Sequence, residues 1–153
     1  MFFSSVPLKY LVASWMAALV PSAPWSDTFE DTAEAIADAA ESRPFLGTPE
    51  RTAALLTAWA FHESTFKPAA HGDGGRSIGL FQIQPRTLGI SDAWLLEDPG
   101  FASRTAARLL ATSARLCKAM ATNDQYSWYA SGKCNAAGAR ASRIRVSTAA
   151  HLK

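Results

Sequence analysis

The sequence is poor in the residues that bind metals and nucleotides. It contains two cysteines and three histidines among 153 residues, and these are scattered, with no Cys-x-x-Cys pair. This distribution argues against a zinc site. No G-x-S-x-G motif indicates a serine nucleophile, and the glycines at 72–75 are not followed by the Lys-Ser/Thr of a phosphate-binding loop. We therefore expect neither a metal ion nor a cofactor.

Charged residues are also scarce, at 18% of the chain, whereas hydrophobic residues make up 48%. This composition predicts a folded globular protein, and the length fits one domain with a substantial core. No internal repeat interrupts the chain. This high proportion of hydrophobic residues relative to charged residues excludes an intrinsically disordered protein.

The small net charge of +2 conceals an uneven distribution. Residues 101–153 hold nine Lys or Arg and only one acidic residue, Asp124, whereas residues 1–60 hold three basic and seven acidic residues. The basic residues of the segment 101–153 suit either a solvated helical surface or contact with an anionic polymer such as the cell wall, lipid phosphates or nucleic acid. Because aromatic and basic residues do not alternate, we expect no nucleic-acid partner.

No apolar run is long enough to span a bilayer comfortably. The segment 10–20 is apolar, follows Lys9 and precedes Pro21-Ser22-Ala23, and it is shorter than the roughly 20 residues that a spanning helix needs. A signal peptide and an amphipathic or core helix explain it equally well. We therefore divide the chain into an apolar N-terminal segment, 1–25, and a main domain, 26–153.

Helical periodicity dominates the main domain. The start and stop signals predict helices over 27–41, 48–63, 98 to beyond Met120, 123 or 124 to 132, and 136–149. Asp27 with Glu30 forms a capping-box pattern, and Thr48-Pro49 is a typical helix start. Glycines at 72–75 predict a short hairpin at 69–83. The predicted fold class is α+β, mostly α, with the hairpin inserted after the second helix.

The end of the second predicted helix carries a glutamate. Leu56, Trp59 and Glu63 are spaced i, i+3 and i+7, so the carboxylate shares the buried helix face. A carboxyl group beside Trp59 and Phe61 loses hydration, and this raises its pKa. Such a group suits a general acid. The alternative is a structural glutamate that pairs with Lys67 or Arg76.

The residues around Glu63 carry a family resemblance. The order Glu63-Ser64, Phe66, Pro68, the segment Gly-Leu-Phe-Gln-Ile at 79–83, and Pro85 resembles the catalytic motif of lytic transglycosylases. In that family a Glu-Ser pair precedes a Phe, a Pro, Gly-Leu-Met-Gln and a further Pro, so Phe81 replaces the usual Met. The stretch Gly72-Asp73, Gly75 and 79–82 is similar to goose-type lysozymes of the same superfamily. The similarity covers 60–88 and, more weakly, 126–135.

This resemblance implies a lysozyme-like fold and cleavage of the β-1,4 bond between N-acetylmuramic acid and N-acetylglucosamine in peptidoglycan. It implies that Glu63 is the catalytic acid and that Gln82 lines the saccharide cleft. Tyr129 resembles the Tyr of a Tyr-Asn-x-Gly motif that closes the cleft, although Ala130 replaces the Asn. The alternative for Tyr129 is a half-buried aromatic residue. Ser77 either binds an acetamido group or Glu63, or satisfies its own turn.

Asp73 separates two chemistries. As a base it would orient water for inverting hydrolysis. Without it, Glu63 acts first as acid and then as base on the 6-hydroxyl of the substrate, which is how lytic transglycosylases release anhydro sugars. The alternative is an Asp that accepts backbone hydrogen bonds in a turn. The product therefore stays open at this point.

Cys117 and Cys134 lie seventeen residues apart, near the ends of two predicted helices. We expect a disulfide and an oxidising compartment, namely the periplasm, the cell envelope or the exterior, or alternatively a virion. Two buried reduced thiols are the other possibility. Two further function classes compete with the enzyme: an inactive glycan-binding protein, and a structural part of a secretion apparatus or phage particle.

Overall fold

A computed structural model describes residues 5–152 of the chain. This part is 66% helical and contains one small two-stranded sheet, which confirms the predicted α+β, mostly α, class. The helices are α1 (Leu8–Leu19), α2 (Asp27–Ser42), α3 (Pro49–Ser64), α4 (Pro85–Leu88), α5 (Asp92–Glu97), α6 (Pro99–Leu116), α7 (Ser127–Ser131) and α8 (Ala136–Ala150). The strands are β1 (His71–Gly72) and β2 (Ser77–Ile78), and short 3-10 turns cover Asp73–Gly75 and Thr122–Asp124.

Helix α3 forms the centre of the core. It contacts α1, α2, α6 and α8, and Leu55, Leu56 and Trp59 are buried almost completely. Helix α2 in turn packs against α1 and α6. The predicted burial of Leu56 and Trp59 on the helix face that carries Glu63 is therefore confirmed.

The apolar N-terminal segment contributes to the same core. Helix α1 buries Val12, Trp15 and Met16 against α2 and α3. Residues 1–4 of the predicted segment 1–25, and Lys153 of the main domain, lie outside the described residues. Within residues 5–152, no helix combines the length and hydrophobicity that a membrane span requires.

Helix starts are set by side-chain caps. The Thr48 hydroxyl accepts from the Arg51 amide at 3.2 Å, and Asp98 accepts from the Phe101 amide at 2.9 Å, as predicted. The capping-box prediction at Asp27 is wrong, because the cap is Ser26, whose hydroxyl accepts from the amide of Phe29. Ser26 has the extended backbone that an N-cap requires, and Asp27 is already helical.

Helix α6 ends earlier than predicted. It stops at Leu116, and the next residue, Cys117, leaves the helical conformation and forms a disulfide with Cys134. The periodic apolar residues continue to Met120, so apolar periodicity alone overestimates the length of this helix. The short helices α4 and α5 were not predicted, since one or two turns carry too little periodicity.

The predicted hairpin is confirmed. His71 pairs with Ile78 and Gly72 with Ser77 in antiparallel register. Ile78 also exchanges two backbone hydrogen bonds of 3.0 Å with Ile83, which extends the ladder by one bridge. The hairpin follows directly after α3, so its residues lie beside the helix end that carries Glu63.

Candidate active site

The site residues predicted from the sequence line one cleft of about 550 Å³. The cleft lies between the end of α3, the hairpin and α7. The predicted residues that line it are Glu63, Asp73, Ser77, Gln82 and Tyr129. The other lining residues are Ile83, Gln84, Thr87, Leu88, Leu109, Trp128, Ala130, Ser131 and Gly132. Elements that are far apart in the chain therefore meet at one groove.

The carboxyl group of Glu63 is held from one side. Its side chain is 17% exposed. The Arg145 guanidinium donates to Glu63 Oε1 twice, from Nη2 at 2.8 Å and from Nε at 3.2 Å. Among the described residues, Glu63 Oε2 accepts no hydrogen bond, and it is not one of the buried polar atoms without a partner. One oxygen is therefore bound by Arg145, whereas the other has no partner among the described residues and is not completely buried.

The pKa of Glu63 is raised above its ordinary value of 4.5. Burial is the main cause, since it removes water from the charged form. The positive charge and hydrogen bonds of Arg145 act in the opposite direction, and the negative charge of Asp73 adds to the increase. The direction is the one that a general acid needs, and it agrees with the prediction from Trp59 and Phe61.

Sequence reasoning missed Arg145 as the partner of Glu63. The partners expected for a structural glutamate were Lys67 and Arg76, which are near Glu63 in the chain. Arg145 instead lies on α8, 82 residues away. Pairs at helical spacing can be found from the sequence, whereas this contact depends on how α8 packs against α3. The only signal in the sequence was the basic composition of the C-terminal third.

Ser64 links α3 to the hairpin segment. Its buried hydroxyl donates to the Leu80 carbonyl at 2.7 Å and accepts from the Lys67 amide at 3.2 Å. The two residues of the Glu-Ser pair are thus placed differently. Glu63 faces the cleft, while Ser64 fixes the segment that carries Gln82 relative to α3.

Backbone strain is concentrated in the same region. Among the described residues, the non-glycine residues with left-handed φ are Thr65 (53°), Phe66 (60°), Asp73 (50°) and Gln82 (48°). The left-handed conformation costs about 1–2 kcal/mol for a residue with a Cβ. All four lie between the end of α3 and the end of the hairpin segment, and two are predicted site residues. Strain of this kind often accompanies functional sites.

Gln82 lines the cleft, but its amide nitrogen is used within the protein. It donates to the Gly79 carbonyl at 3.0 Å and to the Ala70 carbonyl at 3.3 Å. A Cβ at position 72 would lie 2.2 Å from Gln82 Oε1, so Gly72 is the residue that admits this side chain. The geometry gives Gln82 a positioning role in the hairpin, with only its carbonyl oxygen left for a ligand.

Asp73 and Ser77 are hydrogen-bonded to each other. The Ser77 hydroxyl donates to Asp73 Oδ2 at 2.5 Å, and the Gln84 amide nitrogen lies 3.5 Å from the same hydroxyl. Ser77 is buried and Asp73 is exposed. Of the alternatives for Ser77, a hydrogen bond to Glu63 is not formed among the described residues. Ser77 instead donates to a second carboxylate that also lines the cleft.

Tyr129 fixes the wall formed by α7. Its hydroxyl donates to the Phe81 carbonyl at 2.9 Å, and its amide donates to the Ser113 hydroxyl at 3.1 Å. Its ring packs edge-on against Trp59 with 5.2 Å between centroids. Burial and the nearby Glu63 charge raise the pKa of Tyr129 well above 10, so the phenol is neutral. Tyr129 therefore lies at the cleft, partly buried and bonded to the hairpin segment.

The remaining features of the site are a disulfide and an aromatic wall residue. Cys117 and Cys134 are bonded, as predicted, and link the end of α6 to the segment that follows α7. Trp128, a residue to which no separate role was assigned from the sequence, lines the cleft beside Tyr129. In the described range, no group of three or more His, Cys, Asp or Glu side chains is placed to bind a metal ion.

Comparison of the chain with family models, with curated proteins and with solved structures finds no match.

Proposed function

We propose that this protein is a peptidoglycan-cleaving glycosidase with a lysozyme-like fold. It acts on the β-1,4 bond between N-acetylmuramic acid and N-acetylglucosamine, and Glu63 is its general acid. The observation that supports the proposal is the position of Glu63, a mostly buried carboxyl that lines a cleft, with one oxygen bound by Arg145 and the other without a partner among the described residues. The motif resemblance of residues 60–88 supplies the substrate class.

The reaction begins with proton transfer. Glu63 gives its proton to the glycosidic oxygen as the bond from that oxygen to C1 breaks, and positive charge develops at C1. The raised pKa of Glu63 keeps a larger fraction of the acid protonated than an exposed glutamate would have. Trp128 and Tyr129 line the cleft, which has a volume of about 550 Å³.

The second step depends on Asp73. In hydrolysis, Asp73 accepts a proton from water as the water attacks C1, which gives a reducing end. In transglycosylation, ionised Glu63 accepts the proton of the muramic acid 6-hydroxyl, and that oxygen attacks C1 to form a 1,6-anhydro end. The hydrogen bond from Ser77 orients Asp73 and favours a role for it.

The disulfide supports a location outside the reducing cytosol. A bond between Cys117 and Cys134 is stable in the periplasm, in the cell envelope or outside the cell. Peptidoglycan lies in the same compartments. A virion-associated enzyme would meet its substrate there too.

A second function is favoured by one observation. The ion pair between Arg145 and Glu63 stabilises the charged carboxylate, as expected if Glu63 were structural and the cleft only bound glycan. Such a protein would be retained on purified cell walls without releasing soluble fragments. Binding with no turnover would identify it.

The test of the proposed function is the Glu63→Gln variant. Glutamine keeps the volume but has no proton to give, so lysis measured by the turbidity of cell walls falls to background while the far-UV spectrum is unchanged. Glu50→Gln is the matched control, because Glu50 is exposed in the first turn of the same helix. A Glu63→Gln protein as lytic as the parent would end the proposal.

A further inference from the structure

Arg145 is the most constrained charged side chain beside the cleft. Each of its guanidinium nitrogens is bonded: Nε and Nη2 to Glu63 Oε1, and Nη1 to the Ala141 carbonyl at 3.0 Å. The guanidinium also lies 5.1 Å from the centre of the Trp59 ring. Its side chain is only 14% exposed. The cation is therefore held by α8 and α3 in one orientation.

Two guanidinium nitrogens of Arg145, Nε and Nη2, donate to the same carboxyl oxygen, Glu63 Oε1. A proton on Glu63 Oε1 would point toward a cationic donor pair, which is electrostatically unfavourable, whereas Oε2 faces no donor among the described residues. The protonated acid therefore carries its hydrogen on Oε2. This is also the oxygen without a hydrogen-bond partner among the described residues, on a side chain that lines the cleft.

We propose that Arg145 is a positioning residue that binds Glu63 Oε1 and so reserves Glu63 Oε2 to deliver the proton to the substrate. This inference rests on the proposed function. It adds a specific atom to the reaction and a residue outside the motif at 60–88. Lysine at this position has one charged centre and no planar pair of donors, so it cannot reproduce the same fixation.

Other charges act on the same carboxyl group. Asp73, after β1, raises the pKa of Glu63, and Arg145, on α8, lowers it. Tyr129, on α7, is neutral because its own pKa is raised. His62, the neighbour of Glu63 on α3, has a pKa lowered by burial and by Arg145, so it is neutral near pH 7. Removal of Arg145 leaves Asp73 as the remaining nearby charge, and the pKa of Glu63 rises further.

The test compares Arg145→Met, Arg145→Lys and Arg143→Met in the full chain. Methionine keeps an apolar stem over Trp59 and removes the charge. Arg143 is the matched control, because it lies on α8 like Arg145 but its ion pair is with Asp124 of the preceding 3-10 turn, and its side chain is 54% exposed. Two measurements are made on each protein: the pH profile of cell-wall lysis, and the titration of the Glu63 carboxyl by carbon-13 NMR.

For Arg145→Met we expect the alkaline limb of the lysis profile and the titration midpoint of Glu63 to move to higher pH by about one unit or more. The reason is that an opposite charge at this distance lowers a carboxyl pKa by about 1–3 units, and the variant removes this charge. Arg145→Lys keeps the charge, so its limb stays within about half a unit of the parent. Its maximal rate falls about tenfold or more, because the carboxyl loses its fixed orientation. Arg143→Met matches the parent in both measurements.

If Arg145→Met still lyses cell walls, and neither its alkaline limb nor its Glu63 titration differs from the parent, the role of Arg145 is overturned and the proposed function is left intact. Should Arg145→Met fail to fold, Arg145→Lys decides, and parental lysis in that variant would overturn the role. Absence of lysis in the parent itself, with the NMR shift present, would instead overturn the proposed function. The two failures are thus distinguishable.

Discussion

The hydroxyl of Tyr129 donates a hydrogen bond of 2.9 Å to the backbone carbonyl of Phe81 and joins the two walls of the cleft. One wall is the hairpin segment that carries the Gly-Leu-Phe-Gln motif, and the other is α7. The two residues are 48 positions apart in the chain. We expect the separation between these walls, and so the width of the cleft, to depend on this contact together with the packing of Tyr129 on Trp59.

Tyr129→Phe should lower both stability and lysis. The substitution removes the hydroxyl and leaves the Phe81 carbonyl without this partner, at a cost of about 1 kcal/mol or slightly more. Urea unfolding measures the free energy, and wall turbidity measures the rate. Tyr10→Phe is the control, because Tyr10 is 57% exposed on α1. Equal stability and equal lysis in Tyr129→Phe and the parent would show that the bond does not set the cleft.

Asp73→Asn should separate the two product chemistries. If Asp73 orients the attacking water, the variant loses lysis to an extent comparable with Glu63→Gln, and the parent yields fragments with reducing ends. If Glu63 acts alone, Asp73→Asn retains most of its lysis and the parent yields anhydro ends. Mass spectrometry of the released muropeptides distinguishes them. Anhydro ends from a parent whose lysis requires Asp73 would contradict both schemes.

Loss of the disulfide should destabilise the fold and disturb the cleft. The bond closes a loop with a sequence separation of 17, for which chain entropy gives about 3 kcal/mol. The double variant Cys117→Ala, Cys134→Ala is expected to lose about 2–4 kcal/mol in urea unfolding and to lyse walls more slowly. The control is addition of reductant, which should destabilise the parent and leave the double variant unchanged. Equal stability of parent and variant would refute the contribution.

The raised pKa of Glu63 has a defined effect on stability. A carboxyl that holds its proton more tightly in the folded state contributes stability that is fully present below its ordinary value of 4.5 and is lost as pH rises through the folded pKa. Glutamine does not titrate. The free energy of unfolding of the parent minus that of Glu63→Gln should therefore decrease as pH rises above 4.5. Urea unfolding at several pH values measures it, and an increase with pH would mean that the charge of Arg145 outweighs burial.

Local signals in the sequence predicted most of the helical architecture. Thr48-Pro49 and Asp98-Pro99 mark helix starts through hydrogen bonds within one turn, and Gly132 ends α7 with a φ of 74° that glycine tolerates. The placement of the hairpin after α3 was predicted from the glycines at 72–75. These features depend only on neighbouring residues, which is why the chain alone shows them.

Features that depend on packing between distant elements were missed. The contact of Arg145 with Glu63 has no local spacing, and the apolar periodicity that continues to Met120 does not indicate that α6 ends at Leu116. The sequence left several hydrogen-bond partners open for the Ser77 hydroxyl. In the fold, the hairpin register places this hydroxyl next to Asp73, to which it donates. The sequence thus predicted which residues meet at the cleft, and the fold determined which of them bind each other.

The most direct measurement is digestion of purified peptidoglycan sacculi, followed by mass analysis of the soluble products. The parent should release disaccharide-peptide fragments that end in N-acetylmuramic acid, in reducing or 1,6-anhydro form, and Glu63→Gln should release none. Intact sacculi after incubation with the folded parent, or the same fragments from both proteins, would contradict proton transfer by Glu63.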